Sequence, residues 1–246
     1  MPSTSSIAQS SSDDFLCTAP EEVYDMVMDH GFARISSGID GQELDAFNAH
    51  LETLEDRAET ERGPYDKTRY SLNGHPDLDH RFYDRMLDTP VLQDCLDRLL
   101  PGWERGRYGG DRAKAKAQSH QALHSDWPDY TSMKFGLAVC VSLALVDVPA
   151  EYGAIRCVPW SCRGYGRPPY PDVDENGHLA GLRLSMRRGE FLLRDCRAAH
   201  AGAPNDYPTI DCRMSIVECR VRGAVDVGYR GRGAFWGDFN HVSASG

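Results

Sequence analysis

Long hydrophobic runs are missing from this sequence. The most apolar stretch, FGLAVCVSLALVDV, amounts to about thirteen residues, whereas a helix needs about 20 to cross a bilayer, so no membrane span is expected. Positive charge is scarce as well: 27 Lys and Arg stand against 37 Asp and Glu, a formal net charge of -10. That balance excludes the basic stripe with which a protein displaces counterions from nucleic-acid phosphates, and points to small-molecule partners. No Arg or Lys precedes Arg34, and MPSTSSIAQSSSD at the start has neither a basic nor an apolar segment. Residues 1–13 therefore read as a disordered tail, not as a signal or transit peptide. The CxxC motif is absent too. The eight cysteines, at 17, 95, 140, 157, 162, 196, 212 and 219, show no zinc-like clustering, and several fall in apolar strand-like runs. They read as buried thiols of a reducing, cytoplasmic setting.

What is present suits a single domain over residues 14–246, with 41% apolar residues to build a core. The pattern changes once along the chain. Residues 20–30, 41–57 and 91–100 read as helices, with a short strand at GFARIS. From about 114 onward, short strands are expected at 133–147, 154–158, 189–194 and 212–221, separated by Gly, Pro and Asp. The expected fold is mainly β with N-terminal helices: helical support over about 14–110, then a jelly-roll core over about 111–225. No internal repeat is visible, and nothing in the sequence speaks to oligomeric state.

Nine histidines and 37 acidic residues would give about one His-x-Asp/Glu pair by chance, and three occur: His50/Glu52, His75/Asp77 and His124/Asp126. The backbone expected under each separates them. Leu44, Phe47, Leu51 and Leu54 place His50 and Glu52 on an amphipathic helix, where residues two apart point to different faces. His75 and Asp77 lie in NGHPDLD, a turn sequence. His124 and Asp126 precede the apolar, β-branched stretch, and residues two apart in an extended segment project from one side. This pair is placed for chelation and needs a third ligand. His178 lies in the turn-rich PDVDENGHLAG, whereas His200 follows the strand GEFLLRD and suits a ligand closing on the same barrel mouth. Two imidazoles and a carboxylate on one face of an octahedral ion leave three positions open, the arrangement of non-heme Fe(II) oxygenases.

The surrounding motifs resemble the phytanoyl-CoA dioxygenase-like family of Fe(II)/2-oxoglutarate oxygenases. The resemblance runs through HGFARISSGIDGQELDAF, QALHSDW, LALVDVPAEYGAIRCVPWS, GEFLLRDCRAAHAGAPN and CRMSIVECR, in that order. It implies a double-stranded β-helix of the cupin-like, jelly-roll kind, with Fe(II) bound by His124, Asp126 and His200. It further implies 2-oxoglutarate as cosubstrate, O2 as oxidant, and hydroxylation or desaturation of a small molecule, with succinate and CO2 as co-products. A basic residue downstream of the distal histidine holds 2-oxoglutarate in that family, and Arg213 matches its position. Arginine's planar fork suits a carboxylate, and Ser215, on the same strand face, could add a hydrogen bond.

Where the family continues its Val-Pro pair with Gly-Ser-His, this chain has Trp160, Ser161 and Cys162, so the family's substrate does not carry over. The loop WSCRGYGRPPYPDVDENG, residues 160–177, reads either as a proline-stiffened connection or as a lid. As a lid it would offer Trp160, Arg163 and Arg167 to the substrate, together with Trp127 beside the first motif, and its arginines would suit an anionic one. Two other classes share parts of this pattern. A nucleic-acid repair dioxygenase would want basic grooves, which the acidic balance disfavours, and a non-catalytic jelly-roll binding protein would bind its ligand equally well without iron.

Overall fold

A computed structural model describes residues 11–62, 69–72, 77–117, 120–126, 138–150, 155–163 and 180–222. Among the described residues four helices, α1 (Pro20–His30), α2 (Gly41–Arg62), α3 (His80–Leu87) and α4 (Pro90–Leu99), accompany nine strands. The strands are β1 (Phe32–Ser36), β2 (Arg69–Ser71), β3 (Trp103–Ala113), β4 (Ala138–Ala144), β5 (Ile155–Cys157), β6 (Leu182–Leu184), β7 (Glu190–Asp195), β8 (His200–Gly202) and β9 (Cys212–Val221). Short 3-10 turns lie at Ser12–Phe15 and Ser161–Arg163.

Six strands form an antiparallel sheet in the order β1-β7-β4-β9-β3-β2, and three form a second in the order β6-β5-β8. Alternation along each strand divides the large sheet into two apolar faces. One face carries Ala33, Ile35, Val139, Val141, Leu143, Phe191, Leu193, Val217 and Cys219, packed with Val27 of α1, Leu51 of α2, Met86 of α3 and Leu96 of α4. The other carries Phe32, Ala144, Leu192 and Met214, packed with Ile155, Cys157 and Leu184 of the small sheet. The large sheet thus lies between helices and a second sheet, the arrangement of a double-stranded β-helix. Burial on both faces explains why β4 and β7 are buried at every position.

Local sequence sets the ends of these elements. In α1, Pro20 starts the first turn, the Glu22 carboxylate accepts from the Thr18 and Ala19 backbone N–H groups, and Gly31 ends the helix at φ 93°. The expected helices at 20–30 and 91–100 and the strand at 212–221 agree with the structure. The expected strand at 133–147 is observed over Ala138–Ala144, and residues 131–137 lie outside the described residues. Besides the three-residue strands β2, β6 and β8, two longer elements among the described residues escape the sequence pattern. β3, WERGRYGGDRA, is charged and glycine-rich and shows no apolar alternation. Its glycines serve close approach: a Cβ on Gly110 would come within 3.0 Å of a Leu51 methyl, so α2 lies directly on the strand. The other is α3, eight residues long, which begins on the Asp79 side chain.

All eight cysteines are buried and none forms a disulfide, as the sequence suggests. No helix among the described residues is long and apolar enough to cross a membrane.

Candidate metal centre

The centre is assembled by backbone pairing. His124 ends an irregular segment that runs beside β8: Ala117 and Asn205 form one bridge, and Gln121 N–H donates to the Gly202 carbonyl at 3.0 Å. At its end His124 and His200 sit opposite each other, each backbone N–H donating to the other's carbonyl, at 3.0 and 2.8 Å. Directly paired residues project to the same side, and the two imidazole centroids are 4.4 Å apart. Asp126, two residues on, brings Oδ1 to 3.5 Å from His200 Nε2.

One donor atom from each of His124, Asp126 and His200 lies within 4.8 Å of the others. Donors bound about 2.1 Å from an ion stand about 3 Å apart when adjacent, so a small inward movement of the side chains would close this set on a metal. The tautomers are prepared for it. His124 Nδ1 lies 2.9 Å from the Ala122 carbonyl and His200 Nδ1 lies 3.0 Å from the Ala198 carbonyl. An imidazole donating Nδ1–H to a carbonyl keeps its Nε2 lone pair for an ion. Both histidines therefore have the outer partners that sequence could not reveal.

Charge is prepared in the same sense. Burial pushes the His200 imidazole well below the usual histidine range, and Arg194 pushes it further. His124 is lowered chiefly by burial. For Asp126, burial opposes ionisation, but the Arg194 guanidinium and the two imidazoles outweigh it and hold the carboxyl below its ordinary range. At neutral pH the cluster is two neutral imidazoles and one carboxylate, the donor set of a hard divalent ion with open positions.

Arg194, on β7, is the residue that sequence reasoning missed. Its Nη2 lies 2.8 Å from Asp126 Oδ2 and its Nη1 lies 2.9 Å from His200 Nδ1, and its side chain is 3% exposed. Its position six residues before His200, directly after the apolar run Phe191–Leu193, was the available signal.

Arg213 and Ser215 face elsewhere. Arg194 pairs with Cys140, and Cys140 with Glu218, so the face of β9 turned toward the metal cluster carries Met214, Ile216 and Glu218. Arg213 and Ser215 share the opposite, helix-facing side with Val217. The Arg213 guanidinium donates to Glu52 of α2 at 3.1 Å, and the Ser215 hydroxyl to the Met86 sulfur of α3 at 3.4 Å. The expectation that this pair receives 2-oxoglutarate thus stands beside a strand parity that packs both side chains against helices. His50 and Glu52 diverge as expected, with His50 Nε2 on the Asp77 carbonyl and Glu52 on Arg213.

Of the residues expected near substrate, Trp127 and Arg167 lie outside the described residues, as do His75 and the rejected ligand His178. Arg163 is placed only by its backbone, in the turn Ser161–Arg163. Trp160 is half-buried, holds φ at 62°, and sets its ring 5.1 Å from that of His30. Its backbone N–H donates to the His30 carbonyl at 2.9 Å.

Residues 27–208 match the profile of the phytanoyl-CoA dioxygenase family, PhyH, about three quarters of the chain. The chain belongs to that family. With that membership it is an enzyme of the 2-oxoglutarate-dependent, non-heme iron class, and the His124, Asp126 and His200 donors fit the iron such an enzyme uses. Among curated proteins none matches the chain. Solved structures similar to it include AviO1 from Streptomyces viridochromogenes Tue57, at 16% identity and TM-score 0.63 over 85% of this chain and 98% of that one. HygX from Streptomyces hygroscopicus, solved with nickel and 2-oxoglutarate bound, is similar at 15% identity and TM-score 0.63 over 82% of this chain and 87% of its own. SnoN, an alpha-ketoglutarate-dependent epimerase from nogalamycin biosynthesis, is similar at 16% identity and TM-score 0.62 over 82% of this chain and 80% of its own. At such identities the likeness is one of fold.

Proposed function

We propose that this PhyH-family protein is an Fe(II)/2-oxoglutarate-dependent dioxygenase that hydroxylates or desaturates a small organic metabolite, releasing succinate and CO2. One observation carries the reading: His124, Asp126 and His200 offer three donors within 4.8 Å of one another, two of them imidazoles whose Nδ1 atoms face backbone carbonyls. A cluster so arranged is built to leave one side of an ion open. Similar solved structures, HygX with 2-oxoglutarate bound and SnoN from nogalamycin biosynthesis, support a small-molecule substrate.

Bound iron supplies the activation of dioxygen and the oxidising power directed at a C–H bond. The protein's share is placement and shelter. His124 and His200 present Nε2, and Asp126 contributes the one ligand charge. Ala138, Cys140, Cys196 and Ile216 form an apolar cluster on the inner side of the large sheet, next to Arg194, and keep water from that flank. Substrate is proposed to enter over Trp127, Trp160, Arg163 and Arg167, and an anionic group on it would pair with one of the two arginines. Cytoplasmic residence is part of the same proposal, supported by eight buried cysteines that form no disulfide.

Anaerobic addition of Fe(II) and 2-oxoglutarate tests the centre directly. A weak visible charge-transfer band is expected in the parent, together with succinate formation in air. Loss of the band in His200→Ala supports the ligand set, and its persistence there would falsify the third ligand.

A further inference from the structure

His124 is carried by a ladder that is out of step. From the bridge of Ala117 with Asn205 to that of His124 with His200, the irregular segment advances seven residues and the chain opposite advances five, so two extra residues are taken up on the side of the metal ligand. Hydrogen bonds place one of them. In a regular antiparallel ladder the doubly bonded pair next to His124 and His200 would be Ala122 and Gly202, two steps along each chain. Instead it is the Gln121 N–H that donates to the Gly202 carbonyl, at 3.0 Å. Three steps therefore stand against two, a β-bulge at Gln121 and Ala122.

The bulge releases a carbonyl, and that carbonyl is the outer partner of His124. The regular register would send the Ala122 carbonyl to the Gly202 N–H, but it lies 2.9 Å from His124 Nδ1. A strand carbonyl points along the sheet, across the direction of the side chains, so it meets the side chain two residues on only when its peptide is turned out of the ladder. Two side chains fill the places left behind. Gln121 Oε1 accepts from the Gly202 N–H at 2.8 Å, in the stead of the Ala122 carbonyl. Arg156 Nη2 donates to the Gln121 carbonyl at 2.8 Å, and its Nη1 donates to the Ala180 carbonyl at 2.8 Å. Arg156 lies in β5 between Ile155 and Cys157, which pack into the inner cluster, so it faces the outer side of the small sheet, and yet it is fully buried. Hydrogen bonds from a charged group shielded from water are the strong kind, and they hold the peptide between Gln121 and Ala122 in one plane.

We propose that Gln121 and Arg156 are positioning residues of the metal centre: by occupying the Gly202 N–H and the Gln121 carbonyl they keep the ladder from closing to its regular register, and so keep the Ala122 carbonyl on His124 Nδ1. The ring proton then sits on Nδ1 and the Nε2 lone pair is turned to the ion. Neither residue touches the donor atoms. Without the Gln121 acceptor the Gly202 N–H recaptures the Ala122 carbonyl, and the ring loses the partner that fixes its tautomer. The inference rests on the iron reading above for the ion, whereas the tautomer of His124 belongs to the metal-free protein and is tested apart from it.

Two readings on the full chain test it, and neither needs turnover. The first is the His124 tautomer in the metal-free protein, read from the imidazole nitrogen shifts of histidine-labelled protein at about pH 8, where the ring is neutral, and assigned by its absence from His124→Gln. The second is Ni(II) affinity by calorimetry. Parent His124 should carry its proton on Nδ1. In Gln121→Leu, which keeps the bulk and removes the acceptor, His124 should become a mixture with the Nε2–H form and nickel affinity should fall about tenfold or more, the usual effect of losing a ligand's outer partner. His200, whose Nδ1 faces the Ala198 carbonyl, should keep its form. Gln121→Glu retains an acceptor and should keep the parent's tautomer, with nickel affinity at or above the parent's. Arg156→Lys, which loses the fork, should move both readings the same way as Gln121→Leu. A merely structural Gln121 would lower the urea midpoint and leave the tautomer alone. Should Gln121→Leu not fold, Gln121→Ala decides on the same readings. A parent His124 protonated on Nε2, a folded Gln121→Leu with the parent's tautomer and affinity, or a Gln121→Glu that behaves as Gln121→Leu overturns the inference, and Arg156→Lys at parent values overturns the part given to Arg156. Failure of the parent to bind nickel overturns the proposed function, and the tautomer then decides the hold of the bulge on His124 by itself.

Discussion

His124 and His200 exchange both backbone hydrogen bonds of an antiparallel pair, at 3.0 and 2.8 Å, across the seam where the irregular segment before Asp126 meets β8. The spacing of the two imidazoles is therefore fixed by main-chain geometry, and side-chain rotation only trims it. A centre built this way keeps its donors together in the absence of metal, at the cost of gathering a carboxylate and a guanidinium in a buried place.

Stability should fall as the solution is acidified below neutrality. The His124 and His200 imidazoles have folded-state values lowered by burial, and the unfolded values lie near 6.5. A lowered histidine contributes stability fully above its unfolded value and loses it as pH drops below about 6.5 toward the folded value. Asp126 acts at lower pH: its depressed carboxyl contributes above the ordinary value of 3.8 and loses that contribution as pH falls through the folded value. Urea unfolding of the metal-free protein between pH 7.5 and 5 should show a decline that His200→Ala reduces. An equal slope in the variant would dissociate His200 from it.

Arg213→Ala should lower stability, not cosubstrate binding. The guanidinium is buried at its base and meets a half-exposed Glu52, so solvent discounts the pair itself, and a loss of about 1–2 kcal/mol is expected from the pairing and the packing together. The denaturation midpoint should move while the 2-oxoglutarate requirement stays unchanged. A raised requirement at constant stability would return Arg213 to the site.

Trp160 holds a left-handed backbone that favours glycine, at the place where the family pattern has one. Comparing Trp160→Gly with Trp160→Ala separates backbone strain from the ring, which both remove. The Gly variant should be the more stable by about 1 kcal/mol, read from urea midpoints. Both should lose substrate-dependent succinate formation if the ring forms a pocket wall. Coupled turnover at the parent rate would reduce Trp160 to packing on His30.

Arg163→Ala and Arg167→Ala should leave the Fe(II)/2-oxoglutarate band intact while at least one of them abolishes coupled product formation. Parent-rate turnover of the true substrate in both would make residues 160–177 a connector and remove the case for an anionic substrate.

By itself the sequence brought out the candidate ligand cluster and the architecture. His124 and Asp126 carry their own two-residue spacing into a shared direction, and the apolar runs at β4, β7 and β9 admit little besides strand. Glycine-rich β3 stayed illegible because Gly110 answers the approach of Leu51 from α2 and Gly106 that of Glu218 from β9, contacts no periodicity encodes. Only the tertiary structure showed which face of β9 lies against the helices. Alternation says which residues of a strand share a face, but it says which face is inside only when the other is polar. In β9 both faces are buried over Cys212–Cys219, one under helices and one under the small sheet. The parity that joins Arg213 to Ser215 therefore could not say that both pack against helices, or that Arg194 of β7 lies beside Asp126 and His200.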